Sequence, residues 1–209
     1  TGGAQPVDHI QLLRALNTFL DRDHHVFLQA LPAEGGSSIC LPAKDYPAIV
    51  EWVANHGGGR GVYFAINPCK PIDRPMRVAD AVYRRWILIA VDRNKAIQPD
   101  DPATELEHDE AYQLSYAIKE YLAKVGFSHP VEVDSGNGAH LYYRVDLPND
   151  DASRKLVSEF LKLLANTFDG EQVTVGRECH DARRISRLPG TWTRRGRLGH
   201  DRPYRQCKF

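Results

Sequence analysis

The chain has 209 residues, 27 Lys/Arg against 27 Asp/Glu, and 42% hydrophobic residues. That length and apolar content suit one large domain, or a core with a small annex, and exclude a disordered chain. Zero net formal charge excludes a uniformly basic nucleic-acid coat, and no apolar run reaches the roughly 20 residues that a membrane helix needs.

Residues 8–20 read as a helix with an Asp cap and an apolar stripe of Ile10, Leu13, Leu16, Phe19 and Leu20. Residues 26–31 and 38–41 are strand-like. Pro47 opens a helix through Asn55, which the Gly57-Gly58-Gly59 run ends. Residues 61–66 form a strand that Asn67-Pro68 terminates. The most hydrophobic stretch, residues 86–92, belongs at the centre of a sheet. Thr104 and Glu107 form a capping box for a long helix stopped by Gly126. A second long helix over 152–168 turns Leu156, Phe160, Leu163 and Leu164 inward. Short strands follow at 173–175 and 185–188, then the turn Pro189-Gly190-Thr191. Strand, helix, two strands, helix, strand predicts an α+β fold: an RRM/ferredoxin-like antiparallel sheet with helices on one face (61–209), plus an N-terminal αβ annex (1–60).

Charge is uneven along this order. Residues 177–209 hold ten Lys/Arg and three Asp/Glu, while residues 92–110 hold seven acids and two bases. A basic end can engage a polyanion locally. The acids Asp100, Asp101, Glu105, Glu107, Asp109 and Glu110 read as loop and helix N-terminal charges. Cys40, Cys69, Cys179 and Cys207 include no Cys-x-x-Cys pair and read as reduced thiols of a cytoplasmic protein rather than a zinc site. No signal peptide opens the chain, and Thr1-Gly2-Gly3 reads as a trimmed boundary.

The stretch Val133-Asp134-Ser135-Gly136-Asn137-Gly138-Ala139-His140 turns through two glycines and leaves as a strand. Glycines at such a turn let main-chain N–H groups approach an anion. Alternation places His140, Tyr142 and Arg144 on one strand face, for a phosphorylated partner, and Leu141, Tyr143 and Val145 on the other, for a core.

An apolar strand ending in Asp92, a long helix, Ser-Gly-Asn-Gly-x-His-Leu, a second long helix and then Arg-Ile-x-Arg-Leu-Pro-Gly-Thr follow one another in order. This order resembles the primase-polymerase domains of the archaeo-eukaryotic primase superfamily, most of all those of phage, plasmid and mobile-element replication proteins. The resemblance runs over residues 61–209 and includes Asn67-Pro68 and Arg202-Pro203-Tyr204-Arg205. It implies metal-dependent, template-directed nucleotidyl transfer with Mg²⁺ or Mn²⁺. It also implies nucleoside triphosphates and a single-stranded DNA template or primer-template as partners, and commonly a helicase domain beyond the C-terminus. Asp92 and His140 are then the candidate catalytic residues, with Asp92 the metal ligand. Ser135, Gly136, Asn137, Gly138, His140, Arg184 and Arg187 would hold the nucleotide, and Arg183, Arg194 and Arg195 the DNA. Arg forks suit phosphate oxygens, and Trp192 is a candidate base platform or a structural Trp.

Two departures from the family pattern stand out. Two-ion chemistry uses hard carboxylates from neighbouring strands, and residues i and i+2 share a strand face. Ala90 stands where the first acid of an Asp-x-Asp pair is expected, and Gly176 where the third acid is expected. Glu171, Glu178 or Asp181 are the substitutes at hand. The chain is thus either an enzyme with a weakened metal site or a catalytically silent nucleotide- or DNA-binding module of the same fold. A rolling-circle nicking enzyme, with Tyr112 and Tyr116 as nucleophiles, fits worse, because His24-His25 is adjacent and no His-x-His occurs.

Overall fold

The computed structural model describes residues 6–31, 36–57, 61–94, 101–194 and 202–209. Helix α1 (His9–Phe19) is capped by the Asp8 carboxylate, which accepts from the N–H groups of Ile10 and Gln11. Strands β1 (His25–Leu31) and β2 (Ser37–Pro42), helix α2 (Tyr46–His56) and strand β3 (Gly61–Ala65) follow. Strand β4 (Tyr83–Arg93) leads to α3 (Glu105–Lys124), whose capping box joins Thr104 and Glu107. Then come β5 (Val131–Asp134), β6 (Gly138–Pro148), α4 (Asp151–Phe168), β7 (Val173–Val175) and β8 (Ile185–Arg187).

Two four-stranded antiparallel sheets result. One has the order β5-β6-β4-β7, the βαββαβ arrangement expected of a ferredoxin-like core. The other has the order β2-β1-β3-β8, so the N-terminal strands recruit β3 and, from far along the chain, β8. Helix α3 packs on β4 and β6, and α4 on β7. The other face of the ferredoxin-like sheet is covered as well. Phe19 of α1 lies 4.6 Å from the Tyr142 ring, 5.3 Å from Phe64 and 5.6 Å from Trp86, centroid to centroid. This aromatic knot joins α1, β3, β4 and β6.

That cover revises the expectation for the His140 face. Tyr142 is fully buried and His140 is 6% exposed, so this face serves as a core between two sheets over those residues, while Arg144 at its far end is exposed. Both helix stripes are also rotated from those expected. In α1 the buried residues are Leu12, Ala15, Leu16 and Phe19, while Ile10 and Leu13 are exposed. In α4 Val157, Leu161, Leu164 and Ala165 are buried, and Leu156 and Leu163 are exposed. Each helix carries two overlapping apolar stripes, and the stripe with Ala in it allows the closer approach to its neighbours.

Among the described residues no helix is long and apolar enough to cross a membrane. Strand β6 approaches β4 closely at Gly138, where a Cβ would stand 2.2 Å from the Val91 carbonyl oxygen. Gly138→Ala therefore forces a backbone shift between the two central strands. We expect a loss of about 2–3 kcal/mol, as for overpacking, and a Tm lower by roughly 5–10 °C for a chain of this size. Thermal denaturation checks it, and an unchanged Tm would show that the strands separate freely there.

Candidate functional site

The central register decides whether the sequence candidates can meet. Ala90 pairs with His140 and Asp92 with Gly138 across β4 and β6. Directly paired antiparallel residues point to the same side, so His140, Ala90 and Asp92 share one face. Strand β7 adds Thr174 opposite Asp92, and the Gly176 N–H donates to the Ala90 carbonyl at 2.8 Å. Ala90 and Gly176 are thus immediate neighbours beside Asp92. A Cβ on Gly176 would lie 3.4 Å from that of Ala90 and 3.4 Å from Oε1 of Glu178.

A cleft of about 270 Å³ opens at this point between the two sheets. It gathers Asp92, Ser135, Asn137, His140, Arg184 and Arg187 from the sequence candidates. The remaining candidates lie elsewhere. Gly136 and Gly138 are backbone devices, and neither lines the cleft. Gly136 has φ +83°, and a Cβ there would strike the Thr193 hydroxyl. Arg183 is exposed and bonded to Asp181 through Nε at 2.9 Å, at the wall of a neighbouring cavity. Arg194 lines neither cavity, and Arg195 lies outside the described residues. Trp192 is half-buried and forms a β-bridge with Gln206.

The turn itself is held from behind. The Asp134 carboxylate accepts from the Gly136 N–H at 2.7 Å and lies 3.1 Å from Nε2 of His108 on α3. The Asn137 N–H donates to the Ser135 hydroxyl at 3.3 Å. The Ser135 N–H donates to the Gly138 carbonyl at 2.9 Å, so three of the turn's N–H groups are satisfied internally, and an anion here would meet side chains rather than those main-chain amides. Thr193 donates to the Ser135 carbonyl at 3.0 Å, and Arg205 donates to the carbonyls of Ala103 and Gly136. The C-terminal segment therefore clamps the turn onto the start of α3.

Three guanidinium groups supply the positive charge, and one of them, Arg93, was missed in the sequence. Arg93 is 3% exposed and Arg187 7% exposed. Arg187 donates through Nη2 to the Tyr63 hydroxyl at 2.9 Å, and Arg184 faces Glu178 at 3.4 Å. Yet Arg93 Nη1, Arg184 Nε and Arg187 Nη1 are buried without a hydrogen-bond partner among the described residues. Such groups are uncommon and costly, and three converging on one cleft suit an anion with several oxygens. Burial pushes the Arg93 pKa down. For Arg184 burial acts the same way, but Cys179, Glu178 and Asp92 outweigh it and the net shift is upward. Strand alternation beside Asp92 hid Arg93, since the residue after an outward acid is expected in the core. Tyr63 and Asp101 also line the cleft.

The two-ion chemistry implied by the sequence resemblance needs three carboxylates held together. Among the described residues no group of three or more His, Cys, Asp or Glu is placed to hold a metal ion. With Ala90 and Gly176 side by side, the residues present do not fit a two-ion site.

No protein-family model and no curated protein matches this sequence. Solved structures do match it. The primase-polymerase AEP domain of cyanophage S-2L superposes with TM-score 0.55 at 15% identity, over 98% of this chain and 90% of that one. The catalytic domain of primase RepB′ in complex with initiator DNA gives 0.49 at 12% identity, over 88% and 79%. The polymerase domain of Mycobacterium tuberculosis Ligase D in complex with DNA gives 0.49 at 16% identity, over 85% and 62%. The chain shares the fold of the cyanophage primase-polymerase domain.

The Asp134 support makes a pH prediction. Burial works to raise its carboxyl pKa, but the His108, Gly136 N–H and Tyr112 hydrogen bonds prevail and hold it below the usual range. A depressed folded-state pKa contributes stability above the unfolded value of about 3.9 that is lost as pH falls through the folded value. Asp134→Asn should therefore cost about 1.5–3 kcal/mol at pH 7 and flatten the stability loss between about pH 5 and pH 2. Urea titrations across that window test it, and parallel curves for both proteins would refute the assignment.

Proposed function

We propose that this chain is a primase-polymerase-type replication domain that binds a nucleoside triphosphate and a single-stranded DNA template or primer-template between its two sheets. The supporting observation is the convergence of the buried Arg93 and Arg187 and the half-buried Arg184, each with one buried N–H that has no partner among the described residues, on the cleft shared by Asp92, Ser135 and His140. The fold likeness to a primase-polymerase domain supports the same reading. Arg184 and Arg187 grip the triphosphate, and Arg93 stands behind them. The Ser135–Asn137 turn and His140 border the phosphates on the other wall. On the same reading Arg194 and Arg195 are the candidate contacts to the DNA template, whereas Arg183 is paired with Asp181.

The reaction class is template-directed nucleotidyl transfer, in which a 3′-hydroxyl oxygen attacks the α-phosphorus and pyrophosphate leaves. Mg²⁺ or Mn²⁺ supplies charge neutralisation in that chemistry. The residues present do not fit a two-ion site, and Asp92 is the one ligand expected for such a metal. The Ala90–Gly176 contact favours a second reading, a catalytically silent nucleotide- or DNA-binding module. On either reading the binding half of the function stands.

Removing one buried charged partner of a phosphate costs about 1.5–3 kcal/mol. Arg187→Ala should thus raise the Kd for a nucleoside triphosphate about 10- to 100-fold by calorimetry, with circular dichroism reporting retained fold. Undiminished affinity would remove Arg187 from the site. Primer synthesis by the parent chain should be low and should rise in the Ala90→Asp/Gly176→Asp double variant. The backbone at Gly176, with φ −70°, accepts a side chain. Vigorous synthesis by the parent would mean that its acids lie elsewhere.

A further inference from the structure

A row of polar side chains crosses all four strands of the N-terminal sheet. Ser38 is opposite Gln29, Gln29 opposite Tyr63, and Tyr63 opposite Arg187. Paired antiparallel residues share a face, so these four stand side by side, and the row ends at the phosphate cleft. Two residues along each strand, on the same face, lies an apolar row of Cys40, Phe27, Ala65 and Ile185. Its members pack in one cluster with Met76. A second cavity of about 530 Å³ opens over Ser38 and Gln29 of the first row and Phe27 and Ile185 of the second, and joins the first cleft, sharing Glu178, Arg184 and Ile185 with it. Its volume lies within the range of about 300–1,000 Å³ usual for small-molecule sites.

The chemistry changes along this continuous groove. At the inner end stand the three arginines with unpartnered N–H groups. Tyr63 comes next, held by Arg187 through its hydroxyl and with the guanidinium 5.0 Å from its ring. At the outer end are an amide, hydroxyls and an apolar strip. The arginine at that end, Arg183, is already paired with Asp181. This sequence of surfaces suits a molecule with a polyanionic tail, a hydroxylated middle and a flat neutral head with a polar edge.

We infer that the exposed face of the N-terminal sheet seats the nucleoside half of the triphosphate, with Phe27 and Ile185 beneath the base and Gln29 and Ser38 at its edge. An amide both donates and accepts, so Gln29 accommodates every base. Such tolerance suits a site where a template, rather than the protein, chooses the nucleotide. The inference rests on the phosphate-cleft reading above but assigns a different part of the ligand to a different sheet surface.

Two probes separate the halves: inorganic tripolyphosphate, which has only the tail, and dATP, which has both. Ser38 is exposed on edge strand β2, so Ser38→Trp fills the outer cavity without touching the core. Gln29→Leu removes the amide at similar size. Each variant should weaken dATP binding at least tenfold and leave tripolyphosphate affinity within twofold, while Arg187→Ala weakens both ligands. Unchanged dATP affinity in both outer-cavity variants would overturn the inference while the phosphate cleft stands. Equal losses for the two ligands would overturn it also. If the outer variants weaken only a single-stranded oligodeoxynucleotide, the groove holds the template strand and the nucleoside lies elsewhere. Failure of the parent chain to bind tripolyphosphate would remove the cleft reading and this inference together.

Discussion

The hydroxyl of Ser186 sits between the two sheets, 2.6 Å from the Tyr142 hydroxyl and 3.1 Å from Nδ1 of His140. Ser186 belongs to β8, the C-terminal strand of the N-terminal sheet, whereas Tyr142 and His140 belong to β6 of the other. This buried polar chain fixes the distance and register between sheets that otherwise meet through side-chain packing. A buried hydrogen-bond network of this kind is costly to leave half made, so the sheets have one way to close. The cleft is the gap left beside that closure.

Once the sheets are so joined, the position of each charged group follows. Arg184 and Arg187 flank Ser186 along the chain, and Arg187 shares β8 with it, so they are carried to the mouth of the gap beside His140. Asp92 arrives from β4 on the same face as His140. Arg93 enters from the helix side of the same strand. The low exposure that makes these guanidinium groups costly without an anion also strengthens their hold on one, because water competes less. On the proposed reading, the unfavourable solvation of these groups in the free protein would be relieved when an anion binds.

Much of the ferredoxin-like half is legible from sequence, since its elements are long and clearly bounded. The Thr104–Glu107 box, the Gly126 stop and the run at 86–92 each carry their own local signal. Helix faces were harder, because α1 and α4 each contain two overlapping apolar stripes and only the neighbouring surfaces select one. The glycines of the turn were read as ligand-facing, whereas Gly138 allows close strand contact and Gly136 avoids Thr193. These are contacts with residues more than 40 positions away, and no local pattern encodes them.

The sequence by itself determined the order of elements, the family resemblance, and the absence of acids at positions 90 and 176. Those properties are local, set by propensity, capping and residue identity within a few positions. Tertiary structure alone decided that β8 leaves its sequence neighbours to complete the N-terminal sheet, that Arg93 joins Arg184 and Arg187, and that Ser38, Gln29 and Tyr63 line up with Arg187. Each of these depends on strand pairing between segments far apart in the chain. Such pairing is chosen by the burial of whole faces at once, a quantity that exists only when the sheets have closed.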